Sequence, residues 1–234
     1  MKKDYCIVLL PYYLLVSILL IGLAAGGSRI VTVLSVTKAV ERQNCIIIDA
    51  GHGGVDGGAT SCTGVLESRI NLEIALRLDD LMHLLGYQTK MIRTTDVSVY
   101  TKGETIAAKK VSDLKERVRI ANETPGTLLV SIHQNTFSDS RYGGAQVFYA
   151  NTGSSKELAQ AMQQALVLEL NPGSNRQPKR GEGIYLLEHI QVSGILIECG
   201  FLSNPEEENK LRSDAYQKQL CCVIAGVLSR QINA

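Results

Sequence analysis

One stretch, CIIIDAGHGGVDGGA at residues 45–59, constrains the fold more than any other part of the sequence. Its apolar, β-branched start is short and is followed at once by turn residues, which is typical of a buried strand. The glycines that follow allow backbone conformations that bring the main chain close to a ligand or to another side chain. His52 lies in the middle of these glycines, where a histidine can bind a metal or transfer a proton. The stretch therefore predicts a functional site at the end of a buried strand.

The rest of the chain alternates strand-like with helix-like segments. Further strands are predicted at residues 87–93, 127–132, 145–150, 184–187 and 194–199. Helices are predicted at residues 67–86, 107–122, 154–170 and 216–231, with a short one starting near Pro205, and residues 171–180 are predicted to form a loop. This alternation predicts one α/β domain with a largely parallel, mixed sheet of about six strands flanked by helices.

The N-terminus predicts attachment to a membrane. Lys2 and Lys3 precede an uncharged apolar run at residues 6–25, which is long enough to cross ~30 Å of hydrocarbon with the lysines in the cytoplasm. We expect residues 1–27 to be a transmembrane anchor or an uncleaved signal, residues 28–44 a stalk, and residues 45–234 an extracytoplasmic catalytic domain. Small residues at positions 24–27 leave cleavage open as the alternative.

Charge and cysteine content exclude some functions. The 24 basic and 23 acidic residues nearly cancel, so the basic footprint of a nucleic-acid-binding protein is absent from the sequence. Outside the apolar run an odd number of cysteines remains, so at least one has no partner within the chain. Four of them lie in apolar segments and are expected to be small core residues: Cys45, Cys199, Cys221 and Cys222. Cys62, in a polar loop, is interpreted as a loop residue.

Three residues suited to chemistry follow or end predicted strands: His52, His133 and Glu198. The carboxyl ends of parallel strands share one edge of a sheet, so residues far apart in sequence can meet there. Glu67 opens the helix that follows the glycine segment. Two histidines and one carboxylate form a catalytic zinc set with a fourth position for water, and a second carboxylate can shuttle protons.

Five polar residues near these positions allow more than one role. Asp49 is a candidate acceptor that orients His52, although both Asp49 and Asp56 can instead fix the loop. Arg93 and Arg117 can bind substrate carboxylates or form structural ion pairs. Asn135 is a candidate hydrogen-bond partner of a substrate.

Several motifs, in order, resemble those of the type 3 zinc-dependent N-acetylmuramoyl-L-alanine amidases, a family of peptidoglycan hydrolases. They are DAGHGGVDGGA at 49–59, Glu67, MIRTTD at 91–96, RVRIAN at 117–122, SIHQN at 131–135 and ILIECGFLSNPEE at 195–207. The resemblance covers residues 45–231. It implies a phosphorylase/hydrolase-like α/β fold with His52, Glu67 and His133 as Zn²⁺ ligands and Glu198 as the catalytic carboxylate.

The short chain and the segments DLKERV (113–118) and GAQVFY (144–149) also resemble the germination-specific branch of that family. This resemblance implies a role in the spore envelope, where removal of stem peptides permits muramic-δ-lactam formation, and it leaves room for an activating partner protein. Two alternatives stay open: a zinc peptidase that cuts within the stem peptide, and a non-catalytic module that binds the wall or activates another enzyme.

Overall fold

A six-stranded sheet forms the centre of the fold in this computed structural model, which describes residues 45–124 and 128–232. The strands are β1 (Ile46–Ala50), β2 (Thr89–Met91), β3 (Leu128–Asn135), β4 (Gln146–Tyr149), β5 (Lys179–Arg180) and β6 (Ser193–Phe201). Their order across the sheet is β2-β1-β3-β6-β4-β5. Strands β2, β1, β3 and β6 are parallel to one another. Strand β4 runs antiparallel to β6, and β5 runs parallel to β4. The predicted mixed α/β sheet is therefore confirmed.

Helices cover both faces of the sheet. They are α1 (Glu67–Leu84), α2 (Ile106–Asn122), α3 (Ser155–Leu170), α4 (Tyr185–His189), α5 (Pro205–Leu211) and α6 (Asp214–Ile232). Side chains of a strand alternate between faces. Ile46 and Ile48 accordingly pack in the core formed with α1, α3 and α6, whereas Ile47 packs in a second core with residues of α2 and α4. The apolar run of β1 is thus buried on both sides, as a central parallel strand requires.

The prediction of a strand at residues 184–187 is wrong. This run forms most of the short helix α4, which buries Leu186 and Leu187 in the second core. The outermost strand is instead β5, which pairs with β4 and lies within the segment predicted to be a loop. A four-residue apolar run has no periodicity that separates a strand from one buried helical turn. The polar pair Lys179–Arg180 is exposed and carries no hydrophobic signal of a strand.

The described cysteines all have free thiols. Cys199 and Cys221 are buried, as predicted, but Cys222 is exposed, so its assignment to the core is wrong. Consecutive helical residues point about 100° apart, and in α6 Cys221 faces the core while Cys222 faces outward.

Among the helices of residues 45–124 and 128–232, none has the length and apolarity needed to cross a membrane. The predicted anchor at residues 1–27 and the stalk at 28–44 lie outside these described residues, and both stay predictions.

Candidate metal centre and active site

The parallel strands bring the predicted site residues to one edge of the sheet. His52 follows the end of β1 by two residues, and His133 lies near the end of the adjacent strand β3. Glu198, on β6, is the register partner of His133. His52 and Glu198 are 146 positions apart in the sequence. They reach the same edge of the sheet because β1 pairs with β3 and β3 pairs with β6.

The carboxylate of Glu67 lies between the two histidine rings. Its Oε2 atom is 3.3 Å from His52 Nε2, and its Oε1 atom is 3.0 Å from His133 Nδ1. One ligand atom from each of the three residues lies within 4.8 Å of the other two. Two nitrogen donors and one carboxylate oxygen at this spacing match the donor set of a catalytic zinc site with an open position. The three residues thus fit the metal that the resemblance implies.

Glu67 is held in place by the backbone around it. It is 3% exposed and is the first residue of α1. Its Oε2 accepts a hydrogen bond from Ala59 N at 2.9 Å, and its Oε1 accepts from Gln134 N and Asn71 Nδ2, each at 3.1 Å. Burial opposes its ionisation, but hydrogen bonds and charges from His133 and His52 hold the pKa of Glu67 well below its usual range. Glu67 is therefore an oriented anion.

His52 adopts an unusual backbone conformation, with φ = 60°. A non-glycine residue in this region costs of order 1–3 kcal/mol and persists only where its surroundings enforce it. Asp56 contributes to that enforcement, because its Oδ2 lies 2.9 Å from His52 Nδ1 and leaves Nε2 directed at Glu67. Lys110 Nζ contacts the other oxygen of Asp56 at 2.7 Å. Burial lowers the pKa of His52, but Glu67 and Asp56 outweigh it and raise this pKa to about 9.

Arg117 has a structural role. Its guanidinium pairs with Asp49 and Asp113 and donates to the backbone oxygens of Ala50 at 3.0 Å and His52 at 2.7 Å. Asp49 also accepts a hydrogen bond from Ser131 Oγ at 2.6 Å. The acceptor that orients His52 is therefore Asp56, and Asp49 instead anchors the arginine that supports the loop.

Arg93 fixes the same loop from the other side. It is buried and donates to four backbone oxygens, those of Ala50 at 2.8 Å, Gly51 at 3.0 Å, Ser68 at 2.8 Å and Thr95 at 3.0 Å. With its donors committed to the main chain, Arg93 is unsuited to binding a substrate carboxylate.

Asn135 also has local partners. Its side-chain oxygen accepts a hydrogen bond from Thr136 N at 2.8 Å, and its backbone oxygen accepts from Leu202 N at 2.8 Å. Its predicted contact with substrate stays a prediction.

Glu198 occupies the opposite environment to Glu67. Its Oε2 atom is buried and has no hydrogen-bond partner among the described residues. Burial raises the pKa of Glu198 to about 7, with His133 opposing this shift and Glu67 adding to it. A carboxyl group that titrates near neutral pH and has no hydrogen-bond partner on its buried oxygen is suited to carrying a proton.

Gly51 permits the close approach of β1 to His133. A Cβ at this position would lie 2.1 Å from His133 Nε2 and 2.3 Å from its Cε1. Both distances are shorter than 3 Å, which is too close for a Cβ atom. The His133 ring is itself held by Glu67, so the contact could be relieved only by moving the histidine. The glycine at position 51 is thus required by the position of the His133 ring.

A cavity of 290 Å³ adjoins the metal site between α2 and α4. Its wall includes His52, His133, Lys110, Leu114 and Tyr185. This cavity offers a substrate room beside the histidines.

The sequence interpretation missed three supporting residues. Asn71 lies one helical turn after Glu67, a spacing that places two side chains on one face of a helix, so this signal was available. Gln134 donates its backbone N–H to Glu67 and its side chain to Asn71, at 3.2 Å. The contact of Lys110 with Asp56 could not be predicted, because the sequence shows only that Lys110 lies in a basic amphipathic helix.

Comparison with known proteins shows which family the chain resembles. Residues 46–230 match the N-acetylmuramoyl-L-alanine amidase family. The chain is 35% identical over 181 residues to the germination-specific N-acetylmuramoyl-L-alanine amidase of Bacillus subtilis, a match that covers 76% of each chain. It is 29% identical over 175 residues to the amidase LytC of the same organism, covering 74% of this chain and 32% of LytC.

A solved structure of the CwlD amidase from Clostridioides difficile in complex with the GerS lipoprotein superposes with a TM-score of 0.77. It is 36% identical in sequence, and the match covers 81% of this chain and 98% of that one. An N-acetylmuramoyl-L-alanine amidase from Clostridium difficile 630 gives a TM-score of 0.72 at 31% identity, covering 83% and 99% of the two chains.

Proposed function

Because the chain belongs to the N-acetylmuramoyl-L-alanine amidase family, we propose that His52, Glu67 and His133 hold a zinc ion and that Glu198 carries protons for amide hydrolysis. The enzyme is a peptidoglycan hydrolase that acts on the amide bond between the lactyl group of N-acetylmuramic acid and L-alanine. The zinc peptidase and the non-catalytic module considered above are not supported by these relatives. The assignment of the four residues is what remains to be tested.

Bound zinc would lower the pKa of a water molecule and polarise the amide carbonyl. The protein supplies the rest. Asp56 keeps the Nε2 atom of His52 directed at the ligand set, and Glu67 is held anionic between the histidines. Glu198 takes the proton of the attacking water and returns it to the amino group of the departing L-alanine, for which its pKa of about 7 is well placed.

One observation carries this proposal: His52, Glu67 and His133 come from separate elements, yet their ligand atoms lie within 4.8 Å of one another. We expect one zinc per chain, loss of activity on chelation and recovery on addition of zinc. His133→Ala should lose metal and activity together, because two protein ligands would remain. His83→Ala is the matched control, since His83 is an exposed histidine on α1 outside the cluster. Active wild-type protein without zinc in elemental analysis would refute the assignment.

We further propose that the enzyme acts in the spore cortex and in germination. The support is its similarity to the germination-specific amidase of Bacillus subtilis and to CwlD. In this role it removes stem peptides so that muramic-δ-lactam can form. Muropeptide profiles of spores that lack the protein should then be depleted of muramic-δ-lactam, and a normal content would contradict the role.

Cell-wall peptidoglycan lies outside the cytoplasm, and the enzyme acts there. We propose that residues 1–27 hold it at the membrane and that a lipoprotein partner assists it, because the CwlD structure contains the GerS lipoprotein. Membrane fractionation of full-length and truncated chains tests the anchor. Co-purification of a lipoprotein with the full-length chain tests the partner.

A further inference from the structure

Two exposed aromatic side chains lie together on the loop that follows His133. Phe137 is 50% exposed and Tyr142 is 48% exposed, and their ring centroids are 4.6 Å apart at an interplanar angle of 58°. Among the large, well-exposed apolar side chains of residues 45–124 and 128–232, these are the aromatic ones. Adjacent exposed aromatic rings form an apolar patch of the kind that marks an interaction site.

The loop that carries the pair is fixed to the start of α5. Phe137 N donates to Ser203 Oγ at 3.0 Å, and Asn204 Nδ2 donates to the backbone oxygen of Tyr142 at 3.3 Å. Behind Tyr142 lies the buried ring of Phe201, with centroids 6.5 Å apart. A surface ordered in advance loses little conformational entropy when a ligand binds. The two rings therefore form a preorganised platform, which we call the aromatic platform.

The aromatic platform lies on the loop that leaves β3 at the same edge of the sheet as the site residues. Phe201 ends β6 and is the register partner of Asn135, which ends β3, while Glu198 and His133 are partners on the same two strands. Phe137 follows His133 by four residues, so the two residues lie at most about 14 Å apart along the chain. A few sugar rings of a chain attached at the reacting group cover a similar distance.

Charge near the platform favours a neutral ligand. Asp139 and Arg141, on the same loop, pair with each other at 2.6 Å and cancel. Pyranose rings present apolar C–H faces, which the negative face of an aromatic ring attracts. The nearby guanidinium of Arg176, 5.2 Å from the Phe201 ring centroid, donates to the backbone oxygen of Gly143 and to Gln146 Oε1. Both cations are thus engaged by the protein itself, which leaves the two rings to an uncharged sugar.

We propose that Phe137 and Tyr142 form a stacking subsite for the glycan strand, beyond the muramic acid whose amide is cut. This inference rests on the proposed function and adds that the enzyme recognises a polymer of several sugars. Glycan binding at the platform would place successive stem peptides at the metal site.

The test compares two substrates cleaved by the zinc-loaded, full-length protein. One is a muramyl peptide with a single sugar, and the other is a chain of several sugars with the same peptides. Release of free L-alanine amino termini gives kcat/KM for each. In the Phe137→Leu/Tyr142→Leu variant, the ratio of kcat/KM for the long chain to that for the short substrate should fall about tenfold, through KM.

Leucine keeps apolar bulk but removes the aromatic faces, and Tyr142→Phe, which keeps the ring, should retain the wild-type ratio. Leu168→Ala, at an apolar site on α3 that is 71% exposed, is the control for a surface substitution. An unchanged ratio in the double leucine variant overturns the platform and points to a protein partner for these rings. A wild-type enzyme that cleaves neither substrate overturns the proposed function and this inference with it.

Discussion

Two glutamates at one edge of the sheet have opposite surroundings. Glu67 accepts hydrogen bonds from backbone and histidines, and its pKa is held low, whereas the buried Oε2 of Glu198 has no hydrogen-bond partner among the described residues. The pKa of Glu198 is raised to about 7 by burial. Pairs of carboxylates whose pKa values are pushed apart by their environments divide their roles in the same way in many hydrolases. One is suited to ligating a metal and the other to transferring a proton.

Glu198→Gln tests this division. The substitution keeps size and hydrogen bonding but removes the titratable group, so the variant should retain zinc and bind peptidoglycan. Hydrolysis should fall by ~10²–10⁴-fold, the usual contribution of a positioned acid–base group. Zinc content, melting temperature and turnover are measured on one preparation.

Glu67→Gln is the matched control, and it should lose zinc as well as activity. Near-normal turnover in Glu198→Gln would show that Glu198 is not the proton carrier. A lower melting temperature with normal turnover per folded molecule would indicate a structural role instead.

The buried pair of Asp49 with Arg117 predicts a pH-dependent contribution to stability. Burial opposes ionisation, but Arg117 and Ser131 lower the pKa of Asp49 below its ordinary value of 3.8. A depressed carboxyl pKa stabilises the fold above the pKa of the unfolded chain, and this contribution is lost as pH falls through the folded-state pKa. Asp49→Asn should therefore lower the free energy of unfolding by about 3 kcal/mol at pH 7.

The difference between Asp49→Asn and the wild type should shrink as the pH falls below 3.8, which denaturant unfolding at several pH values measures. Asp139→Asn, which breaks the exposed pair with Arg141, should change stability little at any pH. A difference for Asp49→Asn that is independent of pH would show that packing, and not charge, is the cause.

Some of these residue roles were readable from the sequence and others were not. The motif series specified His52, Glu67, His133 and Glu198, and the structure brings the first three into one cluster. The sequence offered Asp49 as the acceptor that orients His52, but the structure gives this contact to Asp56 and pairs Asp49 with Arg117 and Ser131. Local sequence does not encode which of two nearby carboxylates a ring will face.

At the scale of elements, the glycine loop and β3 together build the site. Gly51→Ala should displace His133, because the added Cβ would lie 2.1 Å from its Nε2 atom. We expect zinc affinity to fall by at least about tenfold, the loss typical of disturbing the residues that orient a metal ligand. Competition with a chelator of known affinity measures the change.

Gly226→Ala is the matched control for Gly51→Ala. Gly226 lies on the exposed side of α6, where nothing approaches a Cβ within 4 Å. Alanine there should keep zinc affinity and raise stability by up to about 1 kcal/mol, because it favours the helix. Equal zinc affinities in the two variants would show that the close approach of Gly51 to His133 does not matter.

Elements with a strong pattern were predictable and short ones were not. The isoleucines of β1 and the periodic apolar residues of α1 specified their structures, and both elements begin within a residue of the prediction. Most of helix α4 was predicted to be a strand, and strand β5 lies in a segment that was predicted to be a loop. Their structure depends on tertiary neighbours, since β5 exists only by pairing with β4.

At the scale of the whole molecule, residues 45–124 and 128–232 belong to one compact unit. Helices α1, α3 and α6 close one core and α2 with α4 closes the other, so both faces of the sheet are covered within this unit. The division into residues 1–27, 28–44 and 45–234 rests on composition, since the charge-free run at residues 6–25 differs sharply from the mixed composition after residue 45, and it stays a prediction.

Removal of residues 1–27 should therefore leave a soluble, folded and active enzyme. Among the described residues, the members of both cores begin at Ile46 and all four site residues follow it, so the two cores and the site are built from residues that the truncation keeps. The truncated protein should bind zinc. It should cleave a soluble muramyl peptide with the same turnover as the full-length protein solubilised in detergent. It should be lost from the membrane fraction. A truncated chain that stays insoluble with zinc present would contradict this boundary, whereas folding that is restored only by a lipoprotein would support the proposed partner.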